Sequence, residues 1–167
     1  TMRLLSLIRS SNSGAAAAEM ALLVPLLSTL MFGSFELGSY FWNEHRVVKA
    51  VRDGSRFAAR QPLPKFSCGS AALADTTLET QIKNLTRTGT VDGSGTARVY
   101  GWDNTHITVS VDCPATALTT GIYAGQANAP RVTVATTVPY RSVLQNIGFR
   151  TTGLNLTAQT QAAVTGI

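Results

Sequence analysis

The chain has 167 residues, 44% of them apolar and only 14% charged, with a formal net charge of +5 and a mean hydropathy of +0.11. That length suits one ordinary domain, or a small domain with an extension, and so little charge excludes a disordered, charge-rich chain. Two cysteines and two histidines are too few for a disulfide-dense scaffold or a structural zinc site. From Gln61 onward seven basic residues face five acidic ones, so this part is nearly neutral and a duplex-binding face is excluded.

Four parts follow in chain order. Residues 1–14 form a short basic leader with Arg3, Arg9 and a polar run from Ser10 to Gly14. Residues 15–42 are apolar apart from Glu19 and Glu36, and Met20 to Phe35 carries no charge at all. A helix of this length crosses a hydrocarbon core of about 30 Å, and the terminal Tyr40-Phe41-Trp42 cluster suits a membrane interface, so a transmembrane helix is expected. A cleaved secretory signal fits less well: the apolar stretch exceeds the usual core of such signals, and no A-x-A site follows it closely.

Residues 43–61 continue the helix. Val47, Val48, Val51 and Ala58 form an apolar stripe, while Lys49, Arg52, Arg56 and Arg60 fall on the other face. Those cations read either as a solvated helix surface or as attraction to phospholipid headgroups or an acidic partner. Gln61-Pro62-Leu63-Pro64 ends the helix, since proline lacks the amide and restricts the residue before it.

Residues 62–167 read as a small α+β domain. Ala71 to Thr86 shows helical spacing through Leu73, Leu78, Ile82 and Leu85. Beyond the turn-rich 89–95 stretch the period becomes two, in Ile107-Val109-Val111 and again in Val132-Val134-Thr136-Val138, with Leu154 to Val164 as a weaker last strand. Arg98 to Trp102 is expected to pair with Ile107 to Val111 as a hairpin across Asp103-Asn104. Of 22 threonines, 20 lie after Ala71, which suits the exposed faces of an antiparallel sheet. The expected fold class is therefore α+β: a long N-terminal helix, membrane-spanning in its first half, followed by a small antiparallel sheet.

The densest signal runs from Ser13-Gly14-Ala15-Ala16-Ala17-Ala18-Glu19-Met20 through Val24-Pro25-Leu26 to Phe32-Gly33-Ser34-Phe35-Glu36-Leu37-Gly38, and on to Val51-Arg52-Asp53-Gly54-Ser55-Arg56-Phe57. This resembles the TadE-like proteins, the minor pilins or pseudopilins of bacterial tight-adherence (Flp-type) pilus systems. The resemblance covers about a quarter of the chain, Gly14 to Ala59, with several submotifs in order, and it implies a pilin-like architecture. In that family a prepilin peptidase cuts after the glycine on the cytoplasmic side. Carried over, Gly14 precedes the cut, Ala15 is the new N-terminus and Glu19 the fifth residue of the mature chain. Glu19 would then neutralise the α-ammonium of its own or a neighbouring subunit. Its other reading is local, a carboxylate tolerated by the helix dipole in the first turn.

Glu36 lies 17 residues beyond Glu19, about 26 Å along a helix, near the outer headgroups, where water or a packing role accounts for it. Ser34 and Gly38 form a small-xxx-small helix-contact pair, and Pro25 removes one backbone hydrogen bond and should kink or loosen the helix. The resemblance places the N-terminus in the cytoplasm and the domain in the periplasm of a bacterial inner membrane, with incorporation into an extracellular pilus open. A literal positive-inside count gives the opposite orientation, because five basic residues follow the span and two precede it. Large domains translocate largely regardless of charge, which favours the orientation that the leader needs. In an oxidising periplasm Cys68 and Cys113 form a disulfide worth about 4 kcal/mol under the chain-entropy model; the alternative is two buried thiols.

Chemistry is hard to find. His45 and His106 are isolated, and there is neither an H-E-x-x-H nor a C-x-x-C motif, a G-x-S-x-G elbow or a phosphate-binding glycine loop. The expectation is a non-enzyme without catalytic residues, metal, cofactor, nucleic acid or small-molecule substrate. Its expected partners are the prepilin peptidase, other pilin or pseudopilin subunits, the assembly platform and membrane lipid. The rival reading is an unprocessed, signal-anchored periplasmic binding or adhesion module.

Overall fold

In the computed structural model, residues 12–115, 119–148 and 153–166 are described. Arg3, Arg9 and the rest of the leader up to residue 11 lie outside them. The chain separates into two units, one up to Ser39 and one from Tyr40. A long helix, α1 (Asn12–Ala59), supplies the whole of the first described unit and opens the second. The order then runs through a 3-10 turn (Leu63–Lys65), α2 (Thr76–Thr88), a second turn (Asn104–His106), β1 (Ile107–Asp112), β2 (Arg131–Pro139), a third turn (Val143–Ile147) and β3 (Asn155–Ala163).

In the first unit α1 runs through Pro25 without interruption. Thr29 Oγ1 donates to the Pro25 carbonyl at 2.8 Å and Ser34 Oγ to that of Leu30 at 2.7 Å. Both hydroxyls are thus satisfied within the helix, as an apolar solvent requires.

The second unit packs on one stripe of α1. Val47, Ala50, Val51, Gly54, Ser55 and Ala58 are buried, at spacings of three and four. Arg46, Lys49, Arg52 and Arg56 are exposed. The sheet is antiparallel in the order β1-β2-β3, with Val109 opposite Val134 and Val138 opposite Leu156. Its inner face carries Ile107, Val109, Val111, Val132, Val134, Val138 and Leu156, all buried with the α1 stripe in one core. Thr136 is the polar member of that face. It accepts from Trp102 Nε1 at 3.1 Å and donates to the His106 carbonyl at 2.8 Å, so nothing polar is left unmatched there.

The long helix followed by a small three-stranded antiparallel sheet is the α+β layout read from the sequence. One expected pairing is absent. Residues 98–102 form no strand: Gly101 sits at φ +73°, outside the extended region, and Trp102 turns inward to reach Thr136. β1 pairs with β2 instead, and its other edge meets the Ala72 segment, with the Val111 amide donating to the Ala71 carbonyl at 2.8 Å. His106 is half-buried and accepts the Asp103 amide on Nδ1 at 3.1 Å. A disulfide joins Cys68 to Cys113, with Cα atoms 5.6 Å apart, tying the link before α2 to the end of β1. The Thr165 amide donates to the Ala59 carbonyl at 2.7 Å, so the last described residues close over the end of α1.

α2 starts five residues later than the periodicity suggests, because Asp75 caps it by accepting the Leu78 amide at 3.0 Å. That hydrogen bond, helped by the charge of Lys65, holds the Asp75 carboxyl below its ordinary 3.8, against an opposing desolvation that outweighs the Lys65 charge alone. A lowered folded value means stability that is present above the unfolded value and lost as pH falls. Asp75→Ala should therefore melt lower than the native chain near neutral pH, and the gap should shrink once pH drops below 3.8. α1 and α2 meet at Gly54, where an added methyl would collide with Thr86 Oγ1, itself bonded to the Ile82 carbonyl at 2.8 Å. Gly54→Ala should cost about 1–3 kcal/mol in denaturant unfolding, and pairing it with Thr86→Ala should recover most of that loss.

Candidate functional site

Between Gly14 and Leu37 every large apolar side chain of α1 is exposed, among them Leu22 at 79%, Leu27 at 60% and Phe35 at 64%. A helix apolar all round and covered by nothing among the described residues suits an apolar solvent. The segment is long and apolar enough to cross a membrane, with none of its most apolar window buried. The aromatic cluster at its end divides. Tyr40 turns into the second unit, edge-on to Tyr140 at 5.2 Å and donating to the Asn155 carbonyl at 3.4 Å. Phe41 and Trp42 stay exposed.

Gly14, Ala15 and Glu19 lie in sequence along the exposed start of α1. Because the helix already begins at Asn12, Glu19 is seven residues inside it. A first-turn dipole contact therefore does not account for Glu19 while the leader is attached, since that effect fades within one turn. Among the described residues, nothing beyond the flanking residues and the helix's own backbone comes within 4 Å of a Cβ built at Gly14, Gly33 or Gly38. Each costs helix stability of about 1 kcal/mol relative to alanine, and no contact among the described residues repays it. Ser34 and Gly38 share a face of the helix and both are exposed there, while Glu36 is half-buried.

Further along, Asp53 is bound to Arg98 at 2.9 Å, a pair that sequence reading had no means of finding across 45 positions. Gly54 was visible only as part of a motif; its meaning comes from Thr86 on α2. Among the described residues no three His, Cys, Asp or Glu side chains converge as a metal site would need.

Residues 14–56 match the family described as TadE-like protein. The N-terminal part of the chain is TadE-like. The match is confined to residues 14–56 and, with the apolar α1, is consistent with a membrane-anchored, TadE-like protein of the tight-adherence pilus system. The TadE-like segment covers both the exposed apolar stretch and the stripe from Val47 to Ser55 that carries the sheet domain. No curated protein and no solved structure matches the chain.

Anchoring by this helix has a direct test. Leu27→Lys/Leu30→Lys places two charges at about 2.5–3.5 kcal/mol each near the middle of the apolar stretch. The doubly substituted chain should move from the membrane pellet to the soluble fraction, while its sheet domain, which uses neither side chain, keeps its thermal transition.

Proposed function

We infer that the chain is a minor pilin or pseudopilin, taking part in tight-adherence pilus assembly after a prepilin peptidase removes the leader between Gly14 and Ala15. The observation that carries this reading is the TadE-like match, which begins at Gly14 itself. In this reading residues 1–14 are a cytoplasmic leader, 15–42 cross the inner membrane, 43–61 extend α1 into the periplasm and 62–167 form the periplasmic domain. The protein is not an enzyme, and its partners are the peptidase, other pilin subunits, the assembly platform and lipid.

The physical logic is a transfer of charge partners. In the intact chain Gly14 and Ala15 are already helical, so the peptidase must unwind the first turn of α1. Glycine on the leaving side lowers the cost of that unwinding. Cleavage creates an α-ammonium four residues before Glu19, within one turn of it. An exposed carboxylate in lipid is expensive unless paired. Once paired with the ammonium of its own or a neighbouring subunit, Glu19 can follow its helix into a bundle, so the pair favours assembly over the free membrane form. Gly33 and Gly38, whose added Cβ would meet no described neighbour, then permit close approach of other helices, with Ser34 beside them on the exposed surface.

N-terminal sequencing of the protein from native membranes should return Ala15. A chain that retains Arg3 and Arg9 removes the partner amine and leaves a signal-anchored periplasmic binding or adhesion module. Glu19→Ala should be cleaved and stable yet missing from sheared pili; its normal incorporation would refute the charge-pair mechanism.

A further inference from the structure

The five cations that follow the apolar stretch are not equivalent. Arg46 and Lys49 lie four and seven residues past Trp42, about 6 and 10 Å along the helix. Arg52, Arg56 and Arg60 lie roughly 15–27 Å beyond it, more than a Debye length from any headgroup that meets the indole. Trp42 is 68% exposed on the α1 surface, the disposition of an interfacial anchor.

Arg46 and Lys49 line an open cleft of about 340 Å³ together with Asp53 and Arg98. Three cations and one carboxylate leave this cleft a charge of about +2. Asp53 takes one guanidinium nitrogen of Arg98 at 2.9 Å and so fixes a side chain that arrives from a distant loop. Gly89 clears its path: a Cβ there would stand 3.0 Å from Arg98 Nη2. Asp53 uses part of the guanidinium's five N–H donors and leaves the others for a second acceptor. Among the described residues neither Arg46 nor Lys49 makes an ion pair.

We propose that this cleft binds the phosphate headgroup of an anionic phospholipid, in the leaflet that α1 leaves at Trp42. Arg98, held in place by Asp53, offers the planar fork that suits phosphate oxygens, while Arg46 and Lys49 supply charge from the helix. The excess of positive charge selects an anionic lipid over a zwitterionic one. The site rests on the membrane anchoring of the chain and not on leader cleavage, so either can fail without the other.

The test uses the full chain in detergent micelles, with lipid retention read by native mass spectrometry. The probes are phosphatidylglycerol and phosphatidylcholine with the same acyl chains, and inorganic phosphate as a separate arm. The native chain should retain phosphatidylglycerol about tenfold better or more. Arg46→Gln/Lys49→Gln, both on exposed positions, should abolish the preference. Arg52→Gln/Arg56→Gln, which removes the same charge, should keep it. Equal losses in the two double variants would mean diffuse attraction and overturn the site. Displacement of the lipid by millimolar inorganic phosphate would reassign the cleft to a free anion. Absence of any preference in the native chain would overturn the proposal outright.

Discussion

One helix has to satisfy two solvents. Through the apolar stretch of α1 the backbone amides and carbonyls pair along the helix, apart from the bond that Pro25 cannot make, so the segment tolerates hydrocarbon on all sides. After Tyr40 the same helix must present a narrow stripe to a protein core and a charged surface to water. The change is visible side chain by side chain: Leu22 to Leu37 are exposed, whereas Val47, Ala50, Val51 and Ala58 are wholly buried. The sheet domain has no other long element to pack against. Its inner valines, Trp102 and the α2 residues Leu78 and Ile82 all close on that stripe, so the register of α1 sets the position of everything after it.

Much of this was legible because it depends on simple periods. The uncharged stretch from Met20 to Phe35 announces a helix in lipid, and alternation in Ile107 to Val111 and Val132 to Val138 announces strands with one wet face. The pairing of those strands was harder. Arg98 to Trp102 alternates like a strand, but one left-handed glycine and a buried indole seeking a hydroxyl acceptor turn it into a compact corner. Such competition between local pattern and a single buried hydrogen bond is decided in three dimensions. The start of α1 also escaped the sequence reading. No strong breaker follows Asn12, so the helix runs through Gly14, and Glu19 loses the first-turn setting that the sequence suggested.

The glycines of α1 sort by what surrounds them. Gly54 is demanded from within, since Thr86 occupies the space that a side chain would need. Among the described residues Gly14, Gly33 and Gly38 have open surroundings. The TadE-like match covers both kinds. A motif read only as a signature hides that distinction; the structure separates it residue by residue.

The closure of the chain over Ala59 has a mechanical consequence. Residues 60–164 leave the end of α1 and return to it, where Thr165 donates to the Ala59 carbonyl through both its amide and its hydroxyl, at 2.7 and 3.1 Å. The domain is therefore a closed bight on the helix and not a link in series with it. Tension carried along α1 passes the strands by, and reaches them only as shear across the buried stripe. A helix closed in this way can bear load along its axis while the sheet beside it remains relaxed.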